Sequence, residues 1–116
     1  MKFKFDCIFY YVSDLERSIR FYSDVLGLQL RSRDFVARFE VDGVLFELVP
    51  TADQHKVGRG GNARLCIEVE DMAAALAELE QKKVAVTPAK SEVGGTLASF
   101  YDPDDNEVCL WQYAKR

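Results

Sequence analysis

The 116-residue chain has no CxxC pair, no glycine-rich phosphate loop, no block of basic residues and no apolar run of bilayer length. Each absence removes a class of function. Without a long apolar stretch there is no candidate transmembrane helix. The N-terminal MKFKFDC lacks the apolar centre of a signal peptide, so the expected location is cytoplasmic. Three cysteines, an odd number without paired spacing, point to reduced thiols rather than a disulfide framework. A net charge of -4 and the missing phosphate loop leave no case for nucleic acid or polyphosphate partners, and no membrane partner is expected. The one histidine, His55, lies in a polar stretch and reads as a solvated loop residue. What remains is 48% hydrophobic and 29% charged, the balance of a soluble globular domain.

The chain repeats itself. Displaced by 57 positions, Asp14 falls on Asp71, Val12 on Val69, Ile19 on Leu76 and Tyr22 on Leu79. In the first copy Ile8, Tyr10 and Val12 alternate along a strand. The S-x-x-E of SDLE predicts a capping box, with Ser13 accepting from the Glu16 amide and the Glu16 side chain returning to Ser13. Leu15, Ile19, Tyr22 and Leu26 form a helical stripe that Gly27 ends. Strands follow near Leu28 to Ser32, Phe35 to Val41 and Val44 to Val49, the last two joined by the turn VDG. The second copy predicts a strand near Arg64 to Val69 and a helix from Asp71 to about Lys82. Its later strands are expected near Val84 to Thr87, Thr96 to Tyr101 and Glu107 to Gln112, with DPDDN as the final turn. Module one thus spans about 5–50, a linker 51–62 and module two about 63–116, read together as a single domain.

Two stretches resemble a known family. VSDLERSIRFYSDVLGLQL is similar to the opening of the vicinal-oxygen-chelate superfamily, which includes glyoxalase I, extradiol dioxygenases, methylmalonyl-CoA epimerase, fosfomycin thiol transferases and bleomycin-resistance proteins. FYDPDDNEVCLWQ is similar to its closing signature, D-P-D-G-N followed by a strand. The resemblance implies an α+β fold in which tandem βαβββ modules form a curved eight-stranded mixed sheet around a cavity, with the helices on the outer face. It also implies a homodimer.

Members with metal chemistry carry ligands on the first and last strands of each module. Carried over, those positions are Cys7, Glu47, Arg64 and Cys109, and only Glu47 conforms. Arg64 has no lone pair to give and brings a permanent positive charge. The resemblance therefore implies a site without metal or other cofactor, in which Arg64 neutralises Glu47, either as a plug or as a receptor for an anionic ligand group. The alternative is zinc on Cys7, Glu47 and Cys109. Side chains two apart share a strand face, so Phe9 and Tyr11 accompany Cys7, Cys66 and Glu68 accompany Arg64, and Glu107, Trp111 and Tyr113 accompany Cys109. The opposite faces, including Tyr10, Val12, Phe46, Leu48, Leu65, Val108 and Leu110, are apolar, as a helix-facing layer requires. The expected ligand-binding residues are Cys7, Phe9, Tyr11, Glu47, Arg64, Cys66, Glu68, Cys109 and Trp111. Their aromatic, thiol-bearing and partly acidic surface fits a small aromatic or cationic molecule, as in drug-sequestering members. The alternatives are an enzyme (a lyase, isomerase or dioxygenase with a remodelled metal site) and a structural dimer whose site is dead.

Overall fold

A computed structural model describes residues 1–58 and 63–115; the last part of the expected linker, 59–62, lies outside the described residues. The chain divides into two compact units, Met1–Arg59 and Gly60–Arg116, each with the plan βαβββ. Each holds one four-stranded mixed sheet.

In the first unit, β1 (Cys7–Val12) pairs in parallel with β4 (Val44–Pro50). β4 pairs antiparallel with β3 (Ala37–Val41), and β3 with β2 (Gln29–Arg33), giving the order β1-β4-β3-β2. The expected VDG turn is a tight hairpin in which Asp42 and Gly43 both have positive φ, +49° and +81°, the geometry that two-residue hairpins favour. The predicted alternation holds. Tyr10, Val12, Phe46 and Leu48 are buried, while Cys7, Phe9, Tyr11 and Glu47 on the other face retain exposure. Tyr22 closes the core from the helical side, its ring centroid 4.9 Å from that of Phe46.

Two local expectations are corrected here. Asp14, not Ser13, caps α1 (Leu15–Arg20): its carboxylate accepts from the Arg17 amide at 3.1 Å. Ser13 Oγ instead accepts from the Arg17 guanidinium at 3.1 Å, and Glu16 is drawn to Arg33. A carboxylate at the helix N-terminus makes a charge-assisted bond that a hydroxyl cannot. Asp71 caps the second helix with nearly the same backbone angles, so the duplication extends to cap geometry. The first helix also does not run uniformly to Gly27. It opens into a π-helical turn over Phe21–Val25, where the Leu26 amide reaches back to the Phe21 carbonyl at 3.3 Å. The fully buried side chains are Ser18 and Tyr22; Leu15, Ile19 and Leu26 are only half-buried.

In the second unit, β5 (Leu65–Glu68) pairs in parallel with β8 (Glu107–Tyr113). β8 pairs antiparallel with β7 (Gly95–Tyr101), and β7 with β6 (Lys90–Glu92). The helix α2 (Met72–Gln81) buries Met72 and Leu79. The expected strand at Val84 to Thr87 is corrected. Val86 makes only an isolated bridge to Phe100, and Thr87 is tied to Ser99. Pro88 has no amide to extend that ladder, and the paired strand is the exposed Lys90–Glu92. The DPDDN turn is organised by buried Asp102. Its Oδ1 accepts from the amides of Asp104 and Asn106, and its Oδ2 from the Asn106 side chain, all at 2.9 Å.

Candidate functional site

The face of each sheet opposite the buried layer carries the predicted residues. In the first unit, Phe9 lies opposite Glu47 in the β1–β4 register, with Cys7 and Tyr11 one pleat to either side. Phe9 is 47% exposed, and its ring meets that of Tyr11 edge-to-face, with centroids 5.3 Å apart. Lys56 Nζ sits 5.1 Å from the Tyr11 ring centroid, so one aromatic face already holds a cation supplied by the protein.

Cys7 and Glu47 come together as the register requires, and Asp6 joins them: the three ligand atoms lie within 4.8 Å of one another. Asp6 was invisible to the alternation because it precedes the strand, where the two-residue period does not yet apply. Burial, followed by the charges of Glu47 and Asp6, pushes the Cys7 thiol up to about 11. It is a protonated, poorly nucleophilic thiol at neutral pH. Glu47 has an arginine neighbour of its own module: Arg38, directly opposite in the β3–β4 register, places Nε 4.0 Å away. Arg38 also escaped the sequence reading, since only the hairpin register brings it there.

In the second unit Arg64 finds its partner in Glu107. Its Nε donates to Oε1 at 2.8 Å, and this bond holds the Glu107 carboxyl below the usual range. Within its own module, Arg64 thus has a carboxylate partner on the adjacent strand β8. Glu107 Oε2 accepts from Cys109 Sγ at 3.8 Å. Cys66 stands directly across from buried Cys109, and Glu68 across from Trp111. Cys66 and Glu68 are exposed, and half-buried Trp111 meets Tyr113 edge-to-face at 5.7 Å.

These residues do not fit the divalent-ion set that the fold family implies. Module one offers Asp6, Cys7 and Glu47, and its sulfur would have to give up a proton whose pKa is pushed up to about 11. The corresponding positions of module two offer a cation bound to Glu107, and a thiol whose pKa is raised chiefly by burial.

The chain is similar to several characterised proteins. Human mitochondrial methylmalonyl-CoA epimerase is 29% identical over 111 residues, covering 81% of this chain and 63% of that protein. The mouse epimerase is 30% identical, with 62% of its length covered. The chain thus spans less than two thirds of these curated relatives. TnmS3, an antibiotic binding protein from Streptomyces sp. CB03234, superposes with a TM-score of 0.79 at 26% identity, covering 98% of this chain and 99% of that one. The fosfomycin resistance protein FosX from Mesorhizobium loti shares the fold at a TM-score of 0.73 and 15% identity, covering 98% and 95% of the two chains. Residues 4–110 match the family described as Glyoxalase/Bleomycin resistance protein/Dioxygenase superfamily, and the chain belongs to it.

Proposed function

We propose that the protein binds a small planar molecule and holds it without a resident metal, as a sequestering member of its superfamily. The observation that carries this reading is the pair of edge-to-face aromatic couples, Phe9–Tyr11 and Trp111–Tyr113, each on the sheet face turned away from its module's buried layer. An edge-to-face couple fixes one ring and leaves its face available for stacking. The similarity to an antibiotic binding protein over almost the whole of both chains supports the same class of ligand. Lys56 already occupies the cation position over Tyr11. A cationic ligand would be directed to exposed Glu68 instead, since Arg64 already holds Glu107.

The test begins with a thermal-shift screen of planar drugs and metabolites, since a ligand of the folded state raises the melting temperature. The best hit is then titrated by calorimetry. Trp111→Ala should weaken it by about 1–3 kcal/mol, the loss of a stacking anchor. Cys7→Ala should change affinity little, because a protonated thiol contributes one polarizable atom. Should Cys7→Ala abolish binding or turnover while Trp111→Ala does nothing, the thiol is chemically engaged and the binding reading gives way to an enzyme.

One observation favours that second reading. Asp6, Cys7 and Glu47 converge in a chain similar to methylmalonyl-CoA epimerases. Elemental analysis of protein purified without chelator separates the two. Near-equimolar nickel, iron, manganese or zinc supports the enzyme; none is expected of the binder.

A further inference from the structure

Cys66 and Cys109 face one another on neighbouring parallel strands of the second sheet. They are direct partners in the β5–β8 register, so both side chains leave the same face, with roughly 4.8 Å between the strands. Both thiols are free. Cys66 is exposed and Cys109 buried, which makes one an entry point and the other an interior anchor. They are close enough that negative charge on Cys66 raises the Cys109 pKa. Glu107 Oε2 accepts from Cys109 Sγ at 3.8 Å, while Arg64 holds the other Glu107 oxygen at 2.8 Å. Stacking of a planar ligand makes no use of two thiols as a pair.

We propose that Cys66 and Cys109 form a dithiol site that chelates a soft, thiophilic centre of the trivalent-arsenical class. The reaction is a condensation without electron transfer. Two As–S bonds replace the As–O bonding of an arsenoxide, and its oxygen leaves as water carrying both thiol protons. Glu107 is the base at hand for the Cys109 proton, and Arg64 offsets the charge of the thiolate while it exists. Two sulfurs are too few for zinc, which takes four ligands, but sulfur is the donor that soft centres select. Burial keeps both thiols largely protonated. That slows oxidation, which needs the thiolate, whereas a thiophilic centre displaces the proton as it binds.

The test uses phenylarsine oxide at one equivalent, then a large excess of 2-mercaptoethanol, with the surviving adduct read by intact mass spectrometry under native conditions. A two-sulfur chelate resists a monothiol competitor; a one-sulfur adduct does not. One arsenical per chain should survive on the wild type and on Cys7→Ala, and be lost from Cys66→Ser and Cys109→Ala. Cys66 is exposed, so Cys66→Ser should retain the wild-type circular dichroism and melting profile and keeps the comparison valid even where Cys109→Ala unfolds. Stripping of the wild-type adduct as readily as that of Cys66→Ser, or survival of the adduct on Cys66→Ser, overturns the proposal.

Discussion

Gly95 offers a way to disturb the candidate site without touching a residue proposed to contact ligand. It opens β7 and pairs with Tyr113. A Cβ added there would lie 2.2 Å from the Gln112 carbonyl oxygen and 2.7 Å from Trp111 Cζ2. Ordinary carbon contacts begin near 3.5 Å, so Gly95→Ala requires a shift of roughly 1 Å. The nearer obstacle is backbone held in a ladder and cannot rotate aside. Overpacking of this kind costs about 1–3 kcal/mol. Ala also loses less freedom on folding than Gly, which returns about 0.4–1 kcal/mol. The net expectation is destabilisation of about 1–2 kcal/mol, read as a lower midpoint in urea by far-ultraviolet circular dichroism. The Trp111 ring should also move, weakening the aromatic ligand. A double-mutant cycle with Trp111→Ala separates the contributions. If the ring shares the strain, the double variant is less destabilised than the sum of the singles, while the clash with Gln112 persists. An unchanged or raised midpoint for Gly95→Ala would refute the close approach and, with it, the placement of Trp111 along β7.

Asp102→Asn should destabilise by about 2–4 kcal/mol in urea unfolding, because the amide nitrogen cannot accept the bonds now made by buried Oδ1 or Oδ2, and a donor would then face a donor. The Arg64–Glu107 pair gives a pH signature: the folded pKa of Glu107 is depressed, so its stabilisation is present above the unfolded value and is lost as pH falls through the folded one. Arg64 is 40% exposed, so the loss should be less than about 1 kcal/mol, and Glu107→Gln should flatten the acid limb of a melting-temperature profile; an identical limb in that variant counts against the pair. Light scattering at micromolar concentration should give twice the 13.2 kDa chain mass, since Phe35, Val93 and Tyr101 are exposed apolar side chains that a second copy can cover; a monomeric mass refutes the homodimer.

What the sequence revealed depended on whether a residue's environment follows from its position along the chain. β1, β4 and β8 were legible because one face of each packs on a buried layer, which imposes a two-residue period on Tyr10, Val12, Phe46, Leu48, Val108 and Leu110. The repeat was legible for the same reason, and Asp14 and Asp71 share even their cap angles. β6 was missed because Lys90–Glu92 is exposed throughout and carries no period. Its signal lay in the turn: Gly94, at φ +92°, lets the chain reverse before Gly95. The π-helical turn was missed because Leu15, Ile19, Tyr22 and Leu26 keep ordinary α-helical spacing, and the widened turn shows only in the backbone hydrogen bonds.

The site was less legible than the fold because its charges are matched by strand register rather than by motif. Transferring four family positions suggested that Glu47 and Arg64 answer one another. Each has a partner, Arg38 and Glu107, within its own module. The comparison of the two modules carries the chemistry further. In module one the carboxylate stands at the family position, Glu47. In module two that position is Cys109, and the carboxylate stands one pleat earlier on the same face, at Glu107. Arg64 goes with it, so the positive charge is spent at the start of β8. Further along that face stand a thiol pair and an indole, Cys66, Cys109 and Trp111, all soft and polarizable, with exposed Glu68 across from Trp111. Such a surface suits an aromatic ring or a thiophilic centre better than a hydrated divalent ion, because Arg64 already holds the Glu107 carboxylate and sulfur is the donor that soft centres select.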